Sequence, residues 1–299
     1  MHSPRLFCFG LGYSAGFLAR RLMAAGWRIA GTCQSPETRS ALEAEGIEAF
    51  VFDRGRPLAD PEVALAGTTH LLSSVPPDAD GDSVLDHHGD LIAGLDTLTW
   101  AGYLSTTGVY GHTGGARVDE SAPLAPTSKR GERRQGAETG WLELRGIPVH
   151  VFRLAGIYGP GRNVLDKVRN GTARRIHKPG HRFGRIHVDD IAAVLHASME
   201  RPDPGAVYNV CDDEPAAPAE VVTFACELLG MEPRPLVSFD EAKAVMSPMA
   251  LSFWRDNRLV DNARIKRDLG ITLKYPDFRT GLRACLAAET RSASEDSRR

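Results

Sequence analysis

The stretch of this chain best equipped for chemistry lies near its start: Gly10-Leu11-Gly12-Tyr13-Ser14-Ala15. It follows the apolar run Leu6-Phe7-Cys8-Phe9 and precedes a segment of helical period, so it reads as Gly-x-Gly-x-x-Ala between a strand and a helix. Gly10 permits a tight turn, Gly12 lets backbone approach a pyrophosphate, and Ala15 lets helix and strand pack closely. Tyr13 and Ser14 open a helix whose first amides are unpaired donors at the positive end of its dipole. After the first strand of a βαβ series such a turn binds a dinucleotide; elsewhere it is a structural turn. The expected cofactor is therefore NAD or NADP. An acidic residue about 20 positions further on would take the ribose 2′-hydroxyl and select NAD. Here the second strand ends Thr32-Cys33-Gln34-Ser35, Glu37 falls beyond Pro36, and Arg39 lies within reach of a 2′-phosphate. These residues lean to NADP.

The elements that must hold this turn alternate along the first half of the chain. Strand candidates are 5–9, 27–32, 48–52, 69–74, 101–106 and 148–154. Between them lie helical segments: Leu18, Leu22 and Ala25 make one apolar face, and residues 86–95 and 136–145 read similarly. Strands alternating with helices predict right-handed βαβ units and a parallel sheet covered on both faces. Later, Asp189 and Asp190 are expected to cap a helix over 191–199, followed by a strand at 207–211 and a helical stretch ending at 278–288. The fold class is α/β, a Rossmann-type doubly wound parallel sheet with a smaller, mostly helical C-terminal substrate lobe. Residues 1–160, with 186–212 returning to them, form the dinucleotide-binding domain. Residues 161–185 and 213–289 form the lobe over the carboxyl ends of the strands. The polar tail 290–299 is expected to be disordered.

Bulk properties exclude several partners. With 299 residues and a net charge of -2, the chain has no electrostatic footprint for nucleic acid or an anionic membrane. No apolar run approaches the roughly 20 residues that span a bilayer. The opening residues run into a strand without a secretory signal, so a cytoplasmic location and small-molecule partners are expected. Five scattered cysteines (Cys8, Cys33, Cys211, Cys226, Cys285) read as reduced, buried thiols, with neither a disulfide frame nor a metal site. His87-His88 lacks a third ligand.

Several motifs occur together and in order. They are the glycine turn, Tyr103-Leu104-Ser105-Thr106-Thr107-Gly108-Val109-Tyr110-Gly111, Arg153 through Gly159-Pro160, Arg185-Ile186-His187-Val188-Asp189-Asp190, and Tyr208-Asn209-Val210. By these the chain resembles extended short-chain dehydrogenases/reductases of the NAD-dependent epimerase/dehydratase branch, over nearly its whole length. The resemblance implies that Asp53 contacts the adenine and that Ser74 and Val75 border the cofactor. It implies that Thr106 is the catalytic hydroxyl, with Thr107 beside it facing substrate. It also implies pairing into homodimers through two long helices. The family then carries Tyr-x-x-x-Lys on a helix, a phenol acid/base and an ammonium that lowers its pKa and holds the nicotinamide ribose. In this chain those positions are Arg130 and Arg134, and none of the six tyrosines has Lys four residues later. An arginine, with a pKa above about 12, is deprotonated in fewer than about one molecule in 10⁵ at neutral pH and cannot shuttle a proton. Arg134 is left to hydrogen-bond ribose hydroxyls, Arg130 to hold a carboxylate or phosphate bidentately, and Tyr110 to stand as a substitute acid. The basic stretch 162–185, with Arg162 at its head, suits a substrate diphosphate or is a solvated loop; His187 reads as structural. Two functions stay open: an atypical NAD(P)-dependent oxidoreductase or epimerase-like enzyme on a polar or anionic carbonyl or sugar substrate, and a redox-inactive NAD(P)-binding sensor or scaffold.

Overall fold

The computed structural model describes residues 3–296. In chain order the first half contains β1 (Arg5–Phe9), α1 (Tyr13–Ala24), β2 (Arg28–Cys33), α2 (Pro36–Ala44), β3 (Glu48–Val51), α3 (Pro61–Leu65), β4 (His70–Ser73), α4 (Ser83–Ala93), β5 (Trp100–Thr106), β6 (Arg117–Val118), α5 (Lys129–Glu143) and β7 (Val149–Leu154). The second half adds β8 (Gly156–Tyr158), α6 (Val164–Arg169), β9 (Arg175–His177), β10 (Arg185–His187), α7 (Val188–Glu200), β11 (Val207–Val210), α8 (Pro218–Leu229), β12 (Leu236–Ser238), α9 (Phe239–Lys243), α10 (Pro248–Arg255), β13 (Leu259–Val260), α11 (Ala263–Leu269) and α12 (Phe278–Asp296).

Seven strands form one parallel sheet in the order β11-β7-β5-β4-β1-β2-β3. Alternation along β1 explains why helices must cover both faces. Leu6 and Cys8 enter one core with Leu18, Leu22 and Phe152, while Phe7 and Phe9 enter the other with Leu71, Tyr103 and Trp141. The chain leaves β1 for β2 and β3 on one side, then crosses back to β4 on the other. That reversal opens a crevice at the carboxyl end of β1, where the glycine turn sits.

A second core lies outside the sheet. Leu165, Val168, Val222, Ala225, Phe278 and Leu282 pack α6, α8 and α12 together, and β9 pairs with β12 beside them. This body is stitched to the sheet. β13 pairs with β6 in the connection after β5, and Asn257 O accepts from Thr113 N (3.2 Å) and Gly115 N (2.9 Å).

Some boundaries differ from the sequence-based expectation, each because a cap lies upstream of the apolar period. α4 starts at Ser83, where Asp82 Oδ1 accepts from Val84 N (2.9 Å) and Leu85 N (3.2 Å). α5 starts at Lys129, with Ser128 Oγ accepting from Gly131 N (3.2 Å). Asp189 and Asp190 do not cap α7. β10 feeds straight into that helix, so His187 takes the cap and its Nδ1 accepts from Asp189 N (3.2 Å). Asp190 instead accepts from Lys274 N (2.8 Å) and Tyr275 N (3.0 Å). The tail expected to be disordered from Thr290 continues α12 to Asp296, its Ala and Glu extending a helix already anchored by Phe278 and Leu282; 297–299 lie outside the described residues. Among the described residues no helix is long and apolar enough to cross a membrane.

Candidate functional site

At the switch point the turn presents bare backbone. Gly10 has φ +82°, and a Cβ there would meet Ser74 Oγ at 3.0 Å, so the left-handed conformation and close approach both require glycine. Gly10 N donates to Thr32 Oγ1 (2.8 Å), and Ser74 Oγ donates to Gly10 O (2.5 Å). Val75 Cγ2 would be 3.2 Å from the same Cβ, so Ser74 and Val75 border the turn. A Cβ on Gly12, by contrast, meets nothing within 4 Å. Gly12 is the N-cap of α1 with no side-chain hydrogen bond, which leaves the first amides of that helix to solvent or a ligand. Ser14 and Ala15 are buried beneath. Tyr13 Oη donates to Pro160 O (2.9 Å), and the Arg162 guanidinium lies 5.5 Å from the Tyr13 ring. Burial pushes the Tyr13 phenol up to about 12. Arg162, expected at the substrate, thus lies against the glycine turn.

The tip of β2 carries no carboxylate. Ser35 caps α2, its Oγ accepting from Thr38 N (3.2 Å), and Gln34 is exposed. Arg39 pairs with Glu43 (2.7 Å) on the solvent side of α2. A second arginine that the sequence reading passed over, Arg56, donates from Nη2 to Gln34 O (3.2 Å) and to Asp53 Oδ2 (2.9 Å). Its signal was there in the three-residue spacing from Asp53, which the turn Asp53 N to Arg56 O (3.1 Å) closes.

Thr106 ends β5, and the single helical turn 107–110 follows it. Thr106 Oγ1 accepts from Gly108 N (3.1 Å), so the hydroxyl's own hydrogen remains to be donated. Thr107 is buried beneath. α5 begins beside this turn: a Cβ on Gly131 would lie 3.2 Å from Gly108 O. On that first turn Arg130 is exposed and has no hydrogen-bond or charge partner among the described residues. Arg134, one turn on, is buried. Its Nη1 donates to Leu104 O (2.6 Å) and Tyr103 Oη (3.3 Å), which binds α5 to the main chain of β5.

Tyr110 does not supply the missing acid. The turn after β5 rotates it inward, where its hydroxyl donates to Asn209 Oδ1 (2.8 Å) and accepts from Arg153 Nη1 (2.8 Å). Burial pushes the phenol above its usual range. Arg153 in turn forms a buried ion pair with Glu138 (2.8 Å), which also accepts from Ser105 Oγ. The motif residues Ser105, Tyr110, Arg153 and Asn209 thus form one buried polar network rather than a reacting surface.

The second lobe brings two further groups. A cavity of about 520 Å³ is lined by Arg175, Lys178, His181, Arg182, Thr223 and Arg279, so part of the basic stretch is a cavity wall and not a solvated loop. From the segment after α10, Arg258 reaches the β5 turn and donates from Nη1 to Gly111 O (3.1 Å) and Asp256 Oδ2 (3.0 Å). Nothing in the sequence pattern links Arg258 to Thr106; only tertiary folding does. His187 sits on Tyr275, with ring centres 4.0 Å apart, as a capping residue. His87 meets Arg54 O (2.9 Å) and His88 stacks on Phe9, and among the described residues no group of three metal-ligating side chains converges. All five cysteines are buried thiols.

No protein-family model matches the chain. It is 27% identical over 288 residues to Protein YeeZ of Escherichia coli strain K12, covering 90% of this chain and 95% of that one. A solved structure, that of a functionally unknown conserved protein from Silicibacter pomeroyi, is 51% identical, with TM-score 0.89 over 96% of this chain and 99% of that one. The dTDP-glucose 4,6-dehydratase of Bacillus anthracis, solved in complex with NAD, is 17% identical with TM-score 0.76 over 97% of each chain. The chain thus belongs to one family with the Silicibacter pomeroyi protein, on the fold of the extended, NAD-dependent epimerase/dehydratase-like short-chain dehydrogenases/reductases.

Proposed function

We propose that this protein is an NAD(P)-dependent oxidoreductase or epimerase-like enzyme that works without a tyrosine acid/base, on a small polar or anionic carbonyl or sugar-type substrate. The observation that carries this is the uncapped start of α1 behind Gly12, open on its outer face at the switch point of the sheet. A pyrophosphate fits there: backbone amides and the helix dipole favour it, and no side chain fills the space. A nicotinamide, when bound, supplies or accepts the hydride. Around it the chain's own residues have separable tasks. Gly108 N fixes Thr106 Oγ1 as an acceptor, which aims the hydroxyl hydrogen at a substrate oxygen. Arg130 offers a fork for an oxyanion, and Arg134 fixes α5 against β5 so that both are held in place.

With no phenol in reach, the proton must pass through Thr106, solvent or the substrate itself. A positioned acid/base contributes typically ~10²–10⁴-fold, so turnover is expected to be slow relative to enzymes that keep the pair. NADP is favoured because β2 ends without an acid and Arg56 reaches Gln34 O at its tip, with Arg39 on the first turn of α2.

Titration calorimetry with NADP+, NADPH, NAD+ and NADH at up to millimolar concentration tests the cofactor. Absence of heat and of any melting shift with all four would overturn the assignment. For catalysis, Thr106→Ala and Arg130→Ala are expected to lower turnover of an identified substrate; unchanged turnover in both would remove these roles. The burial of Arg134 against Leu104 O favours a second reading, a redox-inactive NAD(P) sensor, since it withdraws the cation that replaces the family lysine. Any metabolite that bleaches the absorbance of bound NADPH eliminates the sensor.

A further inference from the structure

A methyl built on Gly108 would lie 3.3 Å from Thr106 Oγ1 and 3.8 Å from Arg258 Nη2. Two side chains from distant parts of the sequence therefore converge on one point above the turn that ends β5. Arg258 is anchored through one nitrogen only, Nη1, which serves both Gly111 O and Asp256 Oδ2. Nε and Nη2 have no partner among the described residues, and the side chain keeps 23% of its exposure. A guanidinium carries five donors, so three remain on Nε and Nη2, and Nη2 is the nitrogen beside Gly108. Asp256, its one ion-pair partner, is occupied on its other oxygen by Thr127 Oγ1 (2.7 Å). The rim around this point is otherwise cationic. Arg255 Nη1 donates to Thr127 O (2.8 Å), and Arg130 stands unpaired on the first turn of α5.

We infer that Arg258 is a substrate-binding residue that holds an oxyanion group of the substrate, carboxylate or phosphate, beside the carbon on which Thr106 acts. This rests on the oxidoreductase assignment above and gives it a substrate class. A purely structural arginine would need only the Nη1 contacts. The free edge, directed at the point shared with the Thr106 hydroxyl, is the part that a ligand explains. Guanidinium forks match carboxylate and phosphate alike, so the source of the oxyanion is for experiment to separate.

The probes are oxalate and inorganic phosphate, titrated separately into protein loaded with NADPH, whose dihydronicotinamide fluorescence reports on the adjoining space. The wild type is expected to respond saturably to at least one anion. Response to oxalate alone assigns a carboxylate, and response to phosphate alone a phosphate ester. Arg258→Met is expected to weaken that anion at least about tenfold, the loss of one or two charge-assisted hydrogen bonds. Arg258→Lys should fall between. Gly108→Ala, which keeps both side chains but puts a methyl between them, should also weaken the anion while NADPH affinity stays unchanged in all three variants. Should Arg258→Met not fold, the lysine and Gly108→Ala variants carry the same comparison. Equal anion affinity in wild type and variants, or no saturable response to either anion in loaded wild type, overturns the Arg258 site and leaves the coenzyme assignment standing. If the wild type binds no coenzyme, the assignment itself fails. Calorimetry of both anions on the unloaded chain then decides the site alone: a tenfold loss in Arg258→Met keeps it, and no loss removes it.

Discussion

Two helices of this protein start at the carboxyl edge of the same sheet, and they meet that edge in opposite ways. α1 begins with exposed Gly12, no side-chain cap and open space in front. α5 begins with a Ser128 cap, a lysine and an arginine pointing outward, and a second arginine folded back onto β5. Under the function proposed above, the first would recognise through main chain and dipole, which any phosphate satisfies. The second would recognise through side chains, whose identities select one ligand among many. A site of the first kind is readable from glycine spacing. A site of the second kind depends on which side chains arrive from elsewhere in the fold.

That contrast can be broken at its anchors. The largest effect is expected at the buried rear of α5, where Glu138→Ala leaves Arg153 charged and unpaired among Tyr110 and Asn209. Loss of about 3–5 kcal/mol is expected by urea unfolding; a change below ~1 kcal/mol would show that the pair does not anchor the helix. Acid tests the scaffold shared by both helices. Burial pushes His70, His181 and His187 down to about 4, so each is neutral in the fold and protonates near 6.5 once unfolded. Between those values the unfolded chain binds more protons. The histidines' contribution to stability therefore falls as pH drops from about 6.5 and is lost below about 4, up to roughly 3 kcal/mol each, while Asp212, its carboxyl pushed up to about 8 by burial, contributes in the opposite sense. His70→Gln should accordingly lose less melting temperature than the wild type between pH 7 and 4.5; an equal change in both would contradict this.

Gly12→Val probes the α1 side alone. The added side chain enters open space, so the unliganded melting point should hold while coenzyme binding weakens on the order of a hundredfold, seen as loss of the ligand-induced shift. Arg130→Ala probes the α5 side. About a tenfold rise in KM for an anionic substrate is expected, with coenzyme affinity unmoved. The smallest effect is at the tip of β2. Arg56→Ala should cut the ratio of NADPH to NADH affinity by about three- to tenfold, as for a partly solvated charge contact, and equal loss for both coenzymes would place Arg56 off the 2′-phosphate.

Much of the sheet was legible because its determinants are local. The residues of β1 must alternate between two cores, and the glycine turn must follow it; both are read within fifteen residues. The cap of α4 at Asp82 was equally local but was masked by the stronger apolar period downstream. The roles of side chains around Thr106 were less legible, for a physical reason. Tyr110 is a sequence neighbour of Thr106, yet the intervening helical turn points it into the core toward Asn209. Arg258 is remote in sequence, yet β13 pairs with β6 and brings it against Gly108. Proximity along the chain and proximity in space disagree most where strands of the small lobe clamp loops of the large one.

That clamp sets an order of assembly. The glycine turn and the tip of β2 are made with the first strands, while residues 256–260 can pair with Arg117 and Val118 beyond β5 only near the end of synthesis. A nascent chain therefore carries the turn long before the core under it is complete, because Ile265, Leu269 and Leu273 pack into the same cluster as Leu6 and Cys8. Ribosome-arrested chains ending before Asp256 should therefore respond to neither oxalate nor phosphate.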